Sequence, residues 1–305
     1  MPINPIIKFW YKFFDKNEYQ NLKYQAAQDD RVKYYNTEIY GKILEIEKKI
    51  ENNRELSFLH SGHLGDIIDS LAMIKEISKT RTCKLFIEAD KKIDVKFNKH
   101  PAGNVFLNKK MVNMILPLLN EQSYIKHISI YNKENIDVDL NLFKELAMNF
   151  NMDSVRWYFQ VIGLQTDLSL PYLKVEPHEK IKNKVVIMRT IRRNNYFINY
   201  KFINKYRDLL FIGLEDEYRI LKNEIPNLEF YDCSNFLEIA RIIKSGKFFL
   251  GNLSLGYSIA EALKVPRLLE CYPPEFPAMH PNGKNAYEFY FQQHFEKWFD
   301  YLYKL

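Results

Sequence analysis

The stretch from Leu56 to Lys79 limits the fold more than any other part of the chain. A short apolar run, Leu56, Phe58 and Leu59, has the make-up of a buried strand. It runs into a loop that holds Gly62 and Gly65, with His60, Ser61 and His63 among them, and Asp66 follows. Ile67, Ile68, Leu71, Ile74 and Ile77 then recur at helical spacing, with Asp66 and Asp69 in the first turn, where acids suit the helix dipole. Strand, glycine loop and helix in that order form the unit of a parallel sheet. Such a loop lies at the carboxyl edge, where open α/β folds bind ligands. Glycines there let the backbone turn sharply and let a ligand come close. The same residues also suit a plain turn and an ordinary helix start, and both readings stay open at this point.

The unit recurs along the chain. Strands are expected at 83–90 and 125–131, and a helix at 154–164 that stops at Gly163. The acid pair Asp137-Val138-Asp139 reads as solvated loop. Pro171 and Pro177 flank a linker. Beyond it, strands are expected at 184–189, 209–212, 228–233 and 247–252. Helices follow the turn at Gly213 and span 236–246, the latter ended by Gly246, and 285–305 reads as one closing helix with an aromatic packing stripe. With 305 residues the chain has room for two domains, and 47% apolar residues supply their cores. The expected class is α/β, with two Rossmann-like doubly wound domains at 56–175 and 176–305 behind an N-terminal helical extension, 1–55.

A net charge of +6 suits an anionic ligand or an anionic membrane surface, but it is too diffuse for nucleic acid, and no nucleic-acid motif is present. Three scattered cysteines have no metal spacing and fit a reducing cytoplasm. No apolar run is long enough to span a bilayer, so the expected location is cytoplasmic. Residues 6–14, IIKFWYKFF, mix aromatics with Lys8 and Lys12. They read either as a peripheral contact with the inner face of the membrane or as a packing face against the domain behind them, and packing is preferred.

Two clusters carry ligand chemistry. Arg189, Thr190, Arg192 and Arg193 follow a buried strand, and guanidinium groups there match the oxygens of a phosphate; a solvated basic patch is the alternative. Gly251, Asn252, Ser254, Gly256 and Ser258 lie between another buried strand and a helix, whose first backbone N–H groups make an anion site. The proline-rich loop 270–284 offers Glu275 and His280 to a pocket rim.

The segment HLGDIIDSLAMIKEI resembles the Leu-Gly-Asp segment of the family 9, heptosyltransferase-like glycosyltransferases, which have the two-Rossmann-domain (GT-B) fold; Leu64, Gly65 and Asp66 match. The second cluster resembles that family's Gly-Asn-Asp-Ser-Gly-x-x-His-x-Ala-x-Ala-Leu-x-x-Pro segment. Gly251, Asn252, Ser254, Ala260, Ala262, Leu263 and Pro266 agree; Leu253, Leu255 and Ser258 depart. The resemblance implies transfer of a sugar from a nucleotide-sugar donor to a surface-glycan or lipid-linked saccharide acceptor, with inversion and with neither cofactor nor metal. It implies Asp66 as catalytic base, and Arg189, Arg192 and Ser254 holding the leaving diphosphate. His60, Ser61, Gly62, His63, Gly65 and Asp69 then line the acceptor side, and the last helix crosses back to the first domain. Glu261 and Glu270 are similar to the paired glutamates of retaining enzymes, one residue too far apart, with a solvent-facing Glu261 as the alternative. The three departures leave donor identity open, together with two rivals: an inactive glycan- or nucleotide-binding protein, and a nucleotide-sugar epimerase or hydrolase.

Overall fold

Apolar runs and helical stripes sort the chain into helices first and parallel sheets afterwards. The computed structural model describes residues 5–93, 101–142, 153–274 and 279–305. Its chain separates into two units, Met1–Asn52 and Asn53–Leu305. The first holds α1 (Pro5–Phe14), α2 (Lys16–Tyr34), a π-helical turn at Tyr35–Ile39, and α3 (Tyr40–Asn52). Asp15 starts α2 by accepting the Glu18 N–H at 3.0 Å. Ile6, Phe9, Trp10, Phe13 and Phe14 of α1 are exposed.

The second unit contains two sheets. β1 (Glu55–His60) runs into α4 (Leu64–Ser78), then β2 (Thr82–Ile87), α5 (Lys109–Asn120), β3 (His127–Ile130), β4 (Val138–Asp139) and α6 (Ser154–Ile162). The strands lie in the order β3-β2-β1-β4, all parallel, with Phe58 of β1 between Leu85 and Val138. Asp137 is therefore not the solvated loop or turn residue expected of it, whereas Asp139, although in β4, is exposed. Asp137 accepts both the N–H and the hydroxyl of Ser57, at 2.8 and 2.7 Å, and pins β4 to β1. α6 stops where expected, at Gly163, whose φ of 68° is left-handed.

β5 (Val185–Met188), β6 (Leu209–Ile212), α7 (Glu215–Lys222), β7 (Glu229–Tyr231) and α8 (Phe236–Ser245) open the second sheet. β8 (Phe248–Asn252), α9 (Leu255–Leu263), β9 (Arg267–Glu270), β10 (Ala286–Phe289) and α10 (Gln292–Lys304) complete it. Its order, β10-β9-β8-β5-β6-β7, is entirely parallel and is the doubly wound one. The strand order reverses between β5 and β8, where Met188 faces Gly251.

Three expectations change here. Residues 286–289 form a strand beside β9, so the closing helix starts only at Gln292. Phe295, Phe299 and Leu302 of that helix sit among Val185, Leu209 and Phe248, so its buried face belongs to the second sheet's core and not to a crossing. Gly246 ends α8 without a left-handed turn (φ −68°). A Cβ there would lie 2.7 Å from Val186 Cγ2, so close packing explains this glycine.

Candidate active site

α4 links the two halves, touching α6 on one side and α9 on the other. A Cβ on Gly65 would stand 3.1 Å from the Ser258 hydroxyl, so the first turns of α4 and α9 meet at a glycine. Asp66 is one residue further along α4 and half-buried. One of its oxygens, Oδ2, accepts the His63 N–H at 3.0 Å.

Asp69, one turn on, is 4% exposed. Ser154 of α6 donates to its Oδ2 at 2.5 Å, while Oδ1 has no hydrogen-bond partner of ordinary geometry among the described residues. Burial pushes this carboxyl well above the usual range, against the weaker pull of the Ser154 hydroxyl, and the nearby Asp66 and Asp153 charges push the same way. The two acids of one helix face thus have different environments: Asp69 is pushed toward its neutral form inside the seam and Asp66 stands at its edge.

His60 and Ser61 are buried beneath the loop and do not face it. The Gly62 N–H donates to His60 Nδ1 at 2.9 Å, so the ring proton is on Nε2 and is given to the Tyr158 hydroxyl at 2.8 Å. Tyr158 is kept protonated by burial, with Asp66 and Asp69 close by. The Ser61 N–H donates to Asn141 Oδ1 at 2.8 Å, fixing the ends of β1 and β4, the point where the first sheet's order reverses. Gly62 is required by closeness: its Cβ would come 2.6 Å from His60 Cε1 and 2.9 Å from Asp66 Oδ2. His63 is half-buried, its Nδ1 3.2 Å from the Phe106 carbonyl. His280 is exposed, with its N–H on Asp153 and its ring beside Glu288. Glu275 lies outside the described residues.

The second-sheet side divides in a way the sequence did not reveal. Arg189 is not turned toward a ligand. Its Nε and Nη2 grip Glu270 at 2.7 and 2.8 Å, over the ring of Tyr200. Burial opposes the Arg189 charge, but the bonds to Glu270 hold it above its ordinary value. Glu270 also accepts from the Tyr200 hydroxyl and the Asn195 N–H, so its oxygens are committed. Glu261 does not face solvent: it is buried and bonded to Arg267, which is fully buried, and to Lys264. Neither glutamate of the pair is placed for chemistry.

Asn252 is a clamp. Its Oδ1 accepts the Thr190 N–H at 2.9 Å and its Nδ2 donates to the Thr190 carbonyl at 2.8 Å, joining β5 to β8 where the strand order reverses. Gly251 and Gly256 are packing glycines, with a Cβ on them falling 2.3 Å from the Met188 carbonyl and 2.6 Å from Met188 Sδ. Around the clamp stand groups suited to an anion. The Thr190 hydroxyl is buried with no partner among the described residues. Arg192 and Arg193 are half-buried, and both are lowered from their ordinary values, first by burial and, for Arg192, by the neighbouring Arg193 charge. Ser254 is the N-cap of α9, but its side chain bonds the Asn252 carbonyl and leaves the first turn without a side-chain cap. Glu217, at the start of α7, faces Arg192 and is itself raised by burial. Tyr158, Ser154, Asn141 and Glu217 escaped the sequence reading, because no spacing links them to the loops they support. Among the described residues no group of three or more His, Cys, Asp or Glu side chains could hold a metal.

Two parallel sheets, each reversing its strand order once and joined through α4 and α9, make this an α/β protein of the two-Rossmann-domain fold. Solved structures with this fold include a glycosyl transferase family 9 protein from Veillonella parvula, 10% identical over 77% of this chain and 85% of that one, TM-score 0.51. E. coli heptosyltransferase WaaC with ADP is 11% identical over 81% of this chain and 99% of that one, TM-score 0.53. The dodecameric iron-containing heptosyltransferase TibC in complex with ADP-D-beta-D-heptose is 13% identical over 78% and 63%, TM-score 0.51. No family model matches the sequence, and no curated protein does.

Proposed function

We propose that this chain is a glycosyltransferase that moves a sugar from a nucleotide-sugar donor to a hydroxyl of a glycan or lipid-linked saccharide. The observation that carries the reading is the contact of Gly65 with Ser258, which sets Asp66 beside the first turn of α9. An acid from one half and an anion cradle from the other then share one crevice.

In this reading Asp66 takes the proton from the acceptor hydroxyl as the anomeric carbon gains positive charge. Thr190, Arg192, Arg193 and the first-turn N–H groups of α9 take up the negative charge that grows on the departing diphosphate. These groups supply that positive charge without a metal, and a single displacement by the activated hydroxyl inverts the anomeric centre. Arg189 has a different part: it holds Glu270, and through Asn195 the loop that carries the other two arginines. Solved structures of this fold include complexes with ADP and with ADP-D-beta-D-heptose, which supports a nucleotide sugar as donor.

One observation favours a binding protein instead. Asp66 already accepts the His63 N–H, the ordinary duty of an acid at the third position of a helix. Incubation with a panel of nucleotide sugars, following release of nucleoside diphosphate, separates the two. Asp66→Asn is expected to keep donor binding by calorimetry and to lose roughly 10²-fold or more of the release. Arg192→Ala is expected to weaken binding by about tenfold. Undiminished release from the Asp66 variant removes it from the mechanism, and binding without any release leaves the binding protein.

A further inference from the structure

Helix α1, PIIKFWYKFF, is a polar-backed helix with a broad, exposed apolar face. Ile6, Phe9, Trp10, Phe13 and Phe14 are between 53% and 77% exposed. Phe9 meets Phe13 and Trp10 meets Phe14, with ring centroids 4.9 and 5.3 Å apart, so the face is a continuous aromatic strip. At about 100° per residue, the apolar positions Phe9, Phe13, Ile6, Trp10, Phe14, Ile7 and Tyr11 sweep about 200° of the helix. Lys8 and Lys12 occupy the remaining arc, and α1 has no acid.

We infer that α1 lies flat on an anionic lipid surface, its aromatic strip sunk at the headgroup boundary and its two lysines on the back of the helix, within about one helix diameter of the headgroup charges. Two features on the helix select this occupant. An arc of about 200° is far wider than the narrow seam that two paired helices bury, whereas a lipid surface can enclose it. Ten residues make about 15 Å of helix, half of a hydrocarbon core of about 30 Å, so α1 lies on the membrane and does not cross it. Accordingly, no helix among the described residues is long and apolar enough to span. Burial of Trp, Phe and Ile supplies the affinity; the lysines supply the preference for negative lipid. The inference stands apart from sugar transfer, which concerns α4 and α9.

The test is co-sedimentation of the full chain with vesicles of pure phosphatidylcholine and with vesicles in which about one third is phosphatidylglycerol. The parent chain is expected to bind the anionic vesicles at least about tenfold better, and to lose that margin as salt rises. Trp10→Ser with Phe13→Ser is expected to abolish binding, and Lys8→Glu with Lys12→Glu to remove the preference for anionic lipid. Those four side chains are exposed, so nucleotide binding and circular dichroism should stay unchanged and report intact folding. A parent that ignores both vesicles overturns the inference. So does a parent that is dimeric by light scattering while the Trp10/Phe13 variant is monomeric, which would assign the strip to a second copy.

Discussion

Asp69 shows how one side chain can separate two chemically identical neighbours. It lies three residues from Asp66 on the same helix, yet burial pushes its carboxyl well above the ordinary range. A carboxyl whose value is raised by folding stabilises the fold fully below the ordinary carboxylate range, near about 4, and that contribution is lost as pH rises toward its folded value. Asp69→Asn keeps an acceptor for Ser154 and cannot ionise, so it should escape the loss. The difference in urea midpoint between this variant and the parent is expected to grow in the variant's favour from about pH 4 to pH 7. Asp66 and Asp153 remain in both proteins, and their push on Asp69 is part of the effect measured. A difference that stays flat would mean Asp69 ionises normally inside the seam.

At the scale of elements, parallel strands buried on both faces declared themselves: VVIM, LLFI and FFLGN are continuous apolar runs, and all three form strands. β4 and β10 did not. Val138–Asp139 is only two residues long and carries an acid, and AYEF runs directly into a helical pattern, so neither has a period to read. Spacing also pointed to the ends of β5 and β8, which meet where the strand order reverses, but it could not say which polar groups there are already taken. Arg189 and Asn252 looked like ligand groups and are structural, because Glu270 and Thr190 approach them from 81 and 62 residues away. The glycines were similarly mixed. Gly251 is needed because β5 passes so close that a methyl would meet a carbonyl, and backbone cannot step aside as a side chain can. Gly251→Ala is accordingly expected to destabilise by at least about 2 kcal/mol by urea denaturation, whereas Gly41→Ala, with nothing within 4 Å and inside α3, should cost nothing.

For the whole molecule, the contact of α4 with α9 is the joint on which both sheets depend. Gly65→Leu would drive a branched side chain into the Ser258 hydroxyl and spread the two first turns. It should lower release of nucleoside diphosphate by about tenfold or more while each sheet keeps its own core, a loss visible in kinetics before it is visible in far-ultraviolet circular dichroism. The same joint has an electrostatic side. Each helix carries about half a positive charge at its amino end, and here two such ends are held against each other. Asp66 offsets the one on α4, but α9 begins without a side-chain cap. A multiply charged anion bound where these two amino ends meet would relieve their mutual repulsion and draw the halves tighter.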